Sequence, residues 1–196
     1  MSPKMEKLKG ILSCVEYNGA QDTNIMIRES DSRAVLRKIT LTTDGANRDW
    51  FAFNPDEGRK VKNGNKLAYQ GMSPLLAEDE RHGHHCACDC VVIWHHEGKL
   101  TVLYIDLKSG NPSGYEKQFR STRQFVRYAL GVLKEFHSEH MSVVDERYII
   151  FHTGKRNSMN KLPTVSKPMG KTAPDSACKR VVVNADTLYL KEFLAS

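Results

Sequence analysis

No run of apolar residues in this 196-residue chain approaches the ~20 needed to cross a bilayer. The opening residues, MSPKMEKLKGILSCVEYNG, also lack the apolar stretch of a secretory leader. A soluble, cytoplasmic protein is therefore expected. Cysteines are few and odd in number, five, and three of them alternate within residues 86–90, where neighbours on one face of a strand do not bridge readily. Reduced thiols fit that compartment. Neither an internal repeat nor a linker is visible, so a single domain over residues 1–196 is expected, long enough for one sizeable core. Met169-Gly170-Lys171-Thr172 is like the end of a phosphate-binding loop, but Val165 stands where that loop needs a glycine, and the match fails.

What is present is a modest positive balance, 29 Lys and Arg against 23 Asp and Glu, a formal charge of +6. That favours a polyanionic partner only weakly, and where the charges lie matters more. Residues 86–110 read CACDCVVIWHHEGKLTVLYIDLKSG. Apolar and β-branched residues fill 90–94 and 100–107, and Glu97-Gly98 between them suits a tight hairpin turn. With those two residues as the loop, His96 faces Lys99 and the numbers of every cross-strand pair sum to 195, a register that a one-residue bulge would shift. Asp89 then lies opposite Asp106. Carboxylates so placed have Cβ atoms about 4.5–5.5 Å apart and repel unless a positive charge lies between them. Lys108 shares the face of Asp106, opposite Ala87, while the inner positions Val91, Ile93, Val102 and Tyr104 are apolar. Such a constellation suits a divalent cation site or a strand-end salt bridge.

Beyond the hairpin, Ser113-x-x-Glu116 reads as a capping box opening a long helix to about Phe136. Phe119, Thr122, Val126, Leu130, Leu133 and Phe136 form its apolar stripe, and Gln124 and Tyr128 share another face. Lys117, Arg120, Arg123 and Arg127 have no acid among them, which makes this ridge the sharpest sign of phosphate contact. Residues 54–85 read as an irregular excursion with a basic run at Arg59, Lys60, Lys62 and Lys66, and a helix start at Ser73-Pro74. Residues 154–180 read as a mobile basic loop. Elsewhere the pattern predicts strands at 11–17, 38–43, 147–152 and 181–184, and helices at 32–39 and 187–194. The 38–43 strand would pair with 50–53. In HGHHCACDC (residues 82–90), zinc is disfavoured because an extended strand would send Cys86, Cys88 and Cys90 to one face about 7 Å apart.

Asp89, then Asp106-Leu107-Lys108, resembles the D…(D/E)xK signature of the PD-(D/E)xK nuclease superfamily, and Gln124-x-x-x-Tyr128 is similar to the QxxxY pattern of its RecB-like branch. The resemblance covers residues 86–136. It implies an α/β domain with a central mixed β-sheet flanked by helices, a restriction-endonuclease-like core. It implies hydrolysis of phosphodiester bonds, in DNA above all, with Mg²⁺, or Mn²⁺ in its place. The cation would be held by Asp89, Asp106 and the Leu107 carbonyl, with Lys108 acting on the nucleophile or the developing charge and Gln124 and Tyr128 supporting the site. The superfamily's upstream acid has no clear counterpart; Glu29, Glu78 and Glu80 are the candidates. A non-catalytic module on the same fold, binding nucleic acid or another partner, is the alternative, and no base-reading element is identifiable.

Overall fold

The computed structural model describes residues 1–29, 34–43, 45, 47–63, 66–77, 82–109, 114–153, 179–182 and 187–194. In chain order its elements are α1 (Pro3–Ile11), β1 (Val15–Asn18), β2 (Asn24–Arg28), β3 (Lys38–Thr42), β4 (Trp50–Phe53), α2 (Pro55–Arg59), β5 (Lys60–Asn63) and β6 (Lys66–Tyr69). There follow β7 (Cys90–His96), β8 (Lys99–Lys108), α3 (Tyr115–His137), β9 (Val143–His152), β10 (Lys179–Val182), β11 (Thr187–Tyr189) and α4 (Lys191–Leu194). No helix among the described residues is long and apolar enough to cross a membrane.

The β7–β8 hairpin lies at the centre of a six-stranded sheet of order β1-β4-β7-β8-β9-β10. Its turn residues Glu97 and Gly98 both have positive φ, 49° and 75°. Positive φ at both loop positions is the twist that joins two antiparallel strands without splaying them. All pairs from Cys90↔Ile105 to His96↔Lys99 keep the predicted sum of 195. β4 is antiparallel to β7, whereas β9 is parallel to β8, with α3 as the crossover between them. The protein is thus mixed α/β with a central mixed sheet flanked by helices.

Strand alternation divides the side chains of this sheet between two cores. On one face, Met5 and Leu8 of α1 and Phe119, Val126 and Leu133 of α3 pack on Phe51, Phe53, Val91, Ile93, Val102 and Tyr104. On the other, Ile25, Ile27, Ile39 and Leu41 from a second sheet, β11-β3-β2, and Phe193 of α4 pack on Trp50, Ala52, Val92, Leu103 and Ile105. The sheet strands are buried on both sides, so they read as continuous apolar runs rather than alternating ones.

Several local expectations are corrected. Residues 3–11 form α1, and the strand expected from Ile11 begins at Val15. No helix occupies 34–39; Lys38 already belongs to β3, and residues 30–33 lie outside the described ones. β3 pairs with β2 and β11, not with β4, because Trp50–Phe53 is buried throughout and fits only inside the central sheet. Residues 54–69 contain α2 and the β5–β6 ribbon in place of irregular chain. Residues 73–77 form turns, and the end of the helix expected there, with Glu78 and Glu80, lies outside the described residues. α3 is capped by Gly114 at φ 74° with no side-chain cap bond; Ser113 is outside the described residues. Residue 187 opens a strand, so the closing helix shortens to α4. Of the expected basic loop, only Lys179 and Arg180 are described, in β10.

Open space surrounds the Cβ position of Gly98, so Gly98→Ala meets no clash and is penalised by backbone conformation alone. The expected loss is about 1–2 kcal/mol. Urea unfolding should show a lower midpoint with an unchanged slope; an unchanged midpoint would mean that the turn does not set the hairpin.

Candidate active site

β8 carries Tyr104, Asp106 and Lys108 on the face that meets α3, by the same alternation that buries Leu103, Ile105 and Leu107 on the other. Asp106 is 0% exposed. The ladder of β7 stops at Cys90, and the chain bends at Asp89, so Asp89 and Asp106 are not a ladder pair as the extended register predicted. The bend brings them together by another route. Leu107 N–H donates to Asp89 Oδ2 at 2.6 Å, which sets the Asp89 carboxyl against the residue that follows Asp106.

Lys108 Nζ lies 2.8 Å from Asp106 Oδ2 and donates to Gln118 Oε1 at 2.7 Å. The lysine contact is ionic without the angle of a hydrogen bond, and neither oxygen of Asp106 has a hydrogen-bond partner among the described residues. Gln118 Nε2 donates in turn to the Ala87 carbonyl at 3.0 Å. One amide of α3 therefore braces both the lysine and the segment leading into Asp89. Thr122 Oγ1, one turn later, accepts from Cys88 N–H at 3.0 Å and holds the same segment.

Burial pushes the Asp89 carboxyl well above the usual carboxylate range, the charge of Asp106 adds to this, and the Leu107 N–H opposes it. Burial also raises Asp106, against the pull of the Lys108 ammonium. Glu29, at the end of β2, raises both. Asp89 opens onto a cleft of about 270 Å³ lined also by Glu16, Glu29, Asp56 and Glu57, with Arg28 and Lys60. Asp56 pairs with Arg59, and Glu57 pairs with Lys60.

The donor set fits a hard divalent cation. Two neighbouring carboxylates in a low-dielectric site call for a proton or a cation, and neither oxygen of Asp106 has a hydrogen-bond partner among the described residues. Among the described residues no three His, Cys, Asp or Glu side chains gather closely enough to hold an ion by themselves. Mg²⁺ commonly rests on one or two carboxylates and keeps several waters. Leu107, the predicted carbonyl ligand, sits between Asp106 and Lys108 in β8.

Gln124 and Tyr128 are not brought to this site. Gln118 is the glutamine of α3 that meets Lys108, and Gln124 lies about 9 Å further along and two-thirds of a turn around the helix. Both are exposed, Tyr128 at 70%. Arg123 is likewise removed from the set of free phosphate contacts, because its guanidinium grips Glu146 of β9 at 2.5–2.9 Å. Glu146 also accepts from the hydroxyls of Tyr104 and Tyr148 at 3.2 and 3.4 Å. Arg120 and Arg127 are exposed, and Lys117 lays its stem over Gly83. In the His/Cys segment, Cys88 faces the helices while Cys90 faces the second sheet, so the three cysteines do not share a face. His84 turns to the Ala77 carbonyl at 2.7 Å, and His85 accepts from Met72 N–H at 3.0 Å.

Comparison of the chain with family models, with curated proteins and with solved structures finds no match.

The raised Asp89 carboxyl makes a signed prediction. The folded state holds its proton more tightly than the unfolded chain, so the contribution of Asp89 to stability is full below the ordinary carboxylate pKa of about 3.9 and is lost as pH rises through the folded value. Asp89→Asn, which keeps an acceptor for Leu107 N–H, should raise the melting temperature at pH 8 in the absence of divalent ions. The gain should vanish near pH 4; a variant less stable than wild type at pH 8 would contradict it.

Proposed function

We propose that the protein is a metal-dependent nuclease that hydrolyses phosphodiester bonds, in DNA by preference, on a restriction-endonuclease-like core. The observation that carries this reading is Asp106, a fully buried carboxylate with no hydrogen-bond partner among the described residues, 2.8 Å from the Lys108 ammonium and next in chain to Leu107, whose N–H holds Asp89. The element order supports it as well: the antiparallel run β4–β7–β8, the acids and lysine where β8 ends, then α3 and the parallel strand β9.

In this reading Asp89 and Asp106 hold Mg²⁺ or Mn²⁺, with the Leu107 carbonyl as a main-chain ligand. A bound divalent ion supplies a water of lowered pKa and polarises the phosphate. Lys108 places a positive charge where negative charge grows in the transition state, and Gln118 sets the direction of that ammonium. Lys117, Arg120 and Arg127 meet the phosphate backbone. A second reading, a binding module with a structural ion pair, is favoured by the 2.8 Å contact that already gives Asp106 a counter-ion.

Incubation with linear and circular DNA, with and without Mg²⁺ or Mn²⁺, separates the two. Cleavage should require the metal and be abolished by Asp106→Ala and by Lys108→Ala, with DNA affinity nearly intact. Gln118→Ala should lower kcat roughly tenfold or more at little change in KM, the mark of an interaction made in the transition state. Gln124→Ala should leave kcat unchanged. DNA left whole by the wild-type protein under every metal condition would transfer the conclusion to the binding module.

The charge assignment has its own measurement. Each of Arg120→Ala and Arg127→Ala should reduce the slope of log affinity against log salt by about 0.9, the value for one duplex phosphate contact. Arg123→Ala should leave that slope alone and lower stability, because it strands Glu146 half-buried without its cation. An unaltered slope in the first two variants would return that helix face to solvent.

A further inference from the structure

Ser109 follows Lys108 directly, and its hydroxyl reaches across 74 positions of sequence to accept from the backbone N–H of Val35 at 2.8 Å. The N–H of Leu36 points to the same oxygen at 3.4 Å. Leu36 is buried in the core beneath the second sheet, so this point of the β2–β3 connection is held from inside and outside together. The next residue, Arg37, closes the base of the hairpin, its carbonyl accepting from Glu29 N–H at 3.0 Å. Three successive residues, 35 to 37, thus connect the end of β8 to the residue that follows β2. Glu29 is left lining the cleft onto which Asp89 opens.

We propose that Ser109 is a positioning residue that fixes Glu29 at the mouth of the Asp89–Asp106 site, where Glu29 acts on a divalent cation through its charge and through intervening water rather than as a direct ligand. The inference rests on the metal-dependent reading of that site. Three observations carry it together. The buried Asp106 carboxylate has no hydrogen-bond partner among the described residues. Glu29 and Asp89 share one cleft. The bonds that run from the Ser109 hydroxyl to Val35 and from the Arg37 carbonyl to Glu29 N–H end on Glu29 itself. Among the described residues Glu29 forms no three-ligand cluster with the two aspartates, so the role proposed for it is that of a charge beyond direct contact, across the waters that Mg²⁺ characteristically keeps. A carboxylate beyond direct contact still raises cation affinity, and its effect depends steeply on the loop geometry that sets its distance.

The test is Mn²⁺ binding to the intact protein without DNA, read by the electron paramagnetic resonance signal of free Mn²⁺. Wild type, Glu29→Gln, Ser109→Ala, Ser109→Thr and the double variant Glu29→Gln/Ser109→Ala would be compared at one ionic strength. Glu29→Gln and Ser109→Ala should each weaken Mn²⁺ binding about three- to tenfold. Ser109→Thr, which keeps the hydroxyl, should bind like wild type, and the double variant should be no weaker than Glu29→Gln alone, because both changes act through one group. Wild-type affinity in Ser109→Ala, or additive losses in the double variant, would overturn the role of Ser109 while leaving the metal site standing. Wild-type affinity in Glu29→Gln would overturn the role of Glu29 in the same way. Failure of the wild-type protein to bind Mn²⁺ at millimolar concentration would instead remove the metal-dependent reading, and this inference with it.

Discussion

The two-residue turn at Glu97-Gly98 is the constraint on which the arrangement of the site depends. A hairpin register allows only whole-residue steps, and one step would turn Asp106 away from the helices and Ile105 toward them. With the turn fixed, β8 sends Leu103, Ile105 and Leu107 to the second-sheet face and Val102, Tyr104, Asp106 and Lys108 to the α3 face. The parallel pairing of β8 with β9 then follows the same register to the end of the strand, Asp106 opposite Ile150 and Lys108 opposite His152. Burial of a carboxylate in such a strand is tolerated because Lys108 lies beside it and because the chain bends at Asp89 just where a regular ladder would have continued.

That bend is also where the sequence ceased to be legible. The hairpin itself is determined by a local turn and two apolar runs, and each of its pairs from Cys90 to His96 could be computed from residue numbers alone. Asp89 meets the end of β8 by a side-chain bond to the Leu107 N–H rather than by cross-strand pairing, because periodicity contains no signal for the end of a ladder. The helix gave a different difficulty. Gln124 and Tyr128 match a spacing, but spacing says nothing of which turn overlies the strand end. Topology does: a short connection from Lys108 to Tyr115 places the first turns of α3 above the end of β8, so Gln118 is the glutamine that Lys108 meets. The basic ridge shows a similar limit. Arg123 has no acid near it in sequence, while its partner Glu146 arrives from β9, across the crossover.

Electrostatically the molecule separates two kinds of surface. Cations on the outward side of α3, Arg120 and Arg127, are exposed, while the cleft at Asp89 gathers carboxylates whose neighbours Arg59 and Lys60 are already engaged. Acids raised by burial and by one another store unfavourable energy in the ionised state, which a proton or a cation beside them would relieve. Cys88 and Cys90, by contrast, are buried thiols pushed upward by desolvation, and they pack as small apolar side chains on opposite faces of the sheet.

The second sheet is built from both ends of the chain: β11, at Thr187–Tyr189, lies parallel to Thr40–Thr42 of β3, and Leu190 N–H continues the contact to the Thr42 carbonyl. During synthesis the β2–β3 hairpin therefore leaves the ribosome long before its third strand exists, an interval on the order of ten seconds at ordinary elongation rates. Throughout that interval one edge of β3 is unpaired by β11, and Phe193 has yet to reach Phe151 of β9 in the core that the second sheet covers. Until then the β2–β3 hairpin lacks its third strand, and completion of the second sheet waits on residues about 145 positions further along the chain.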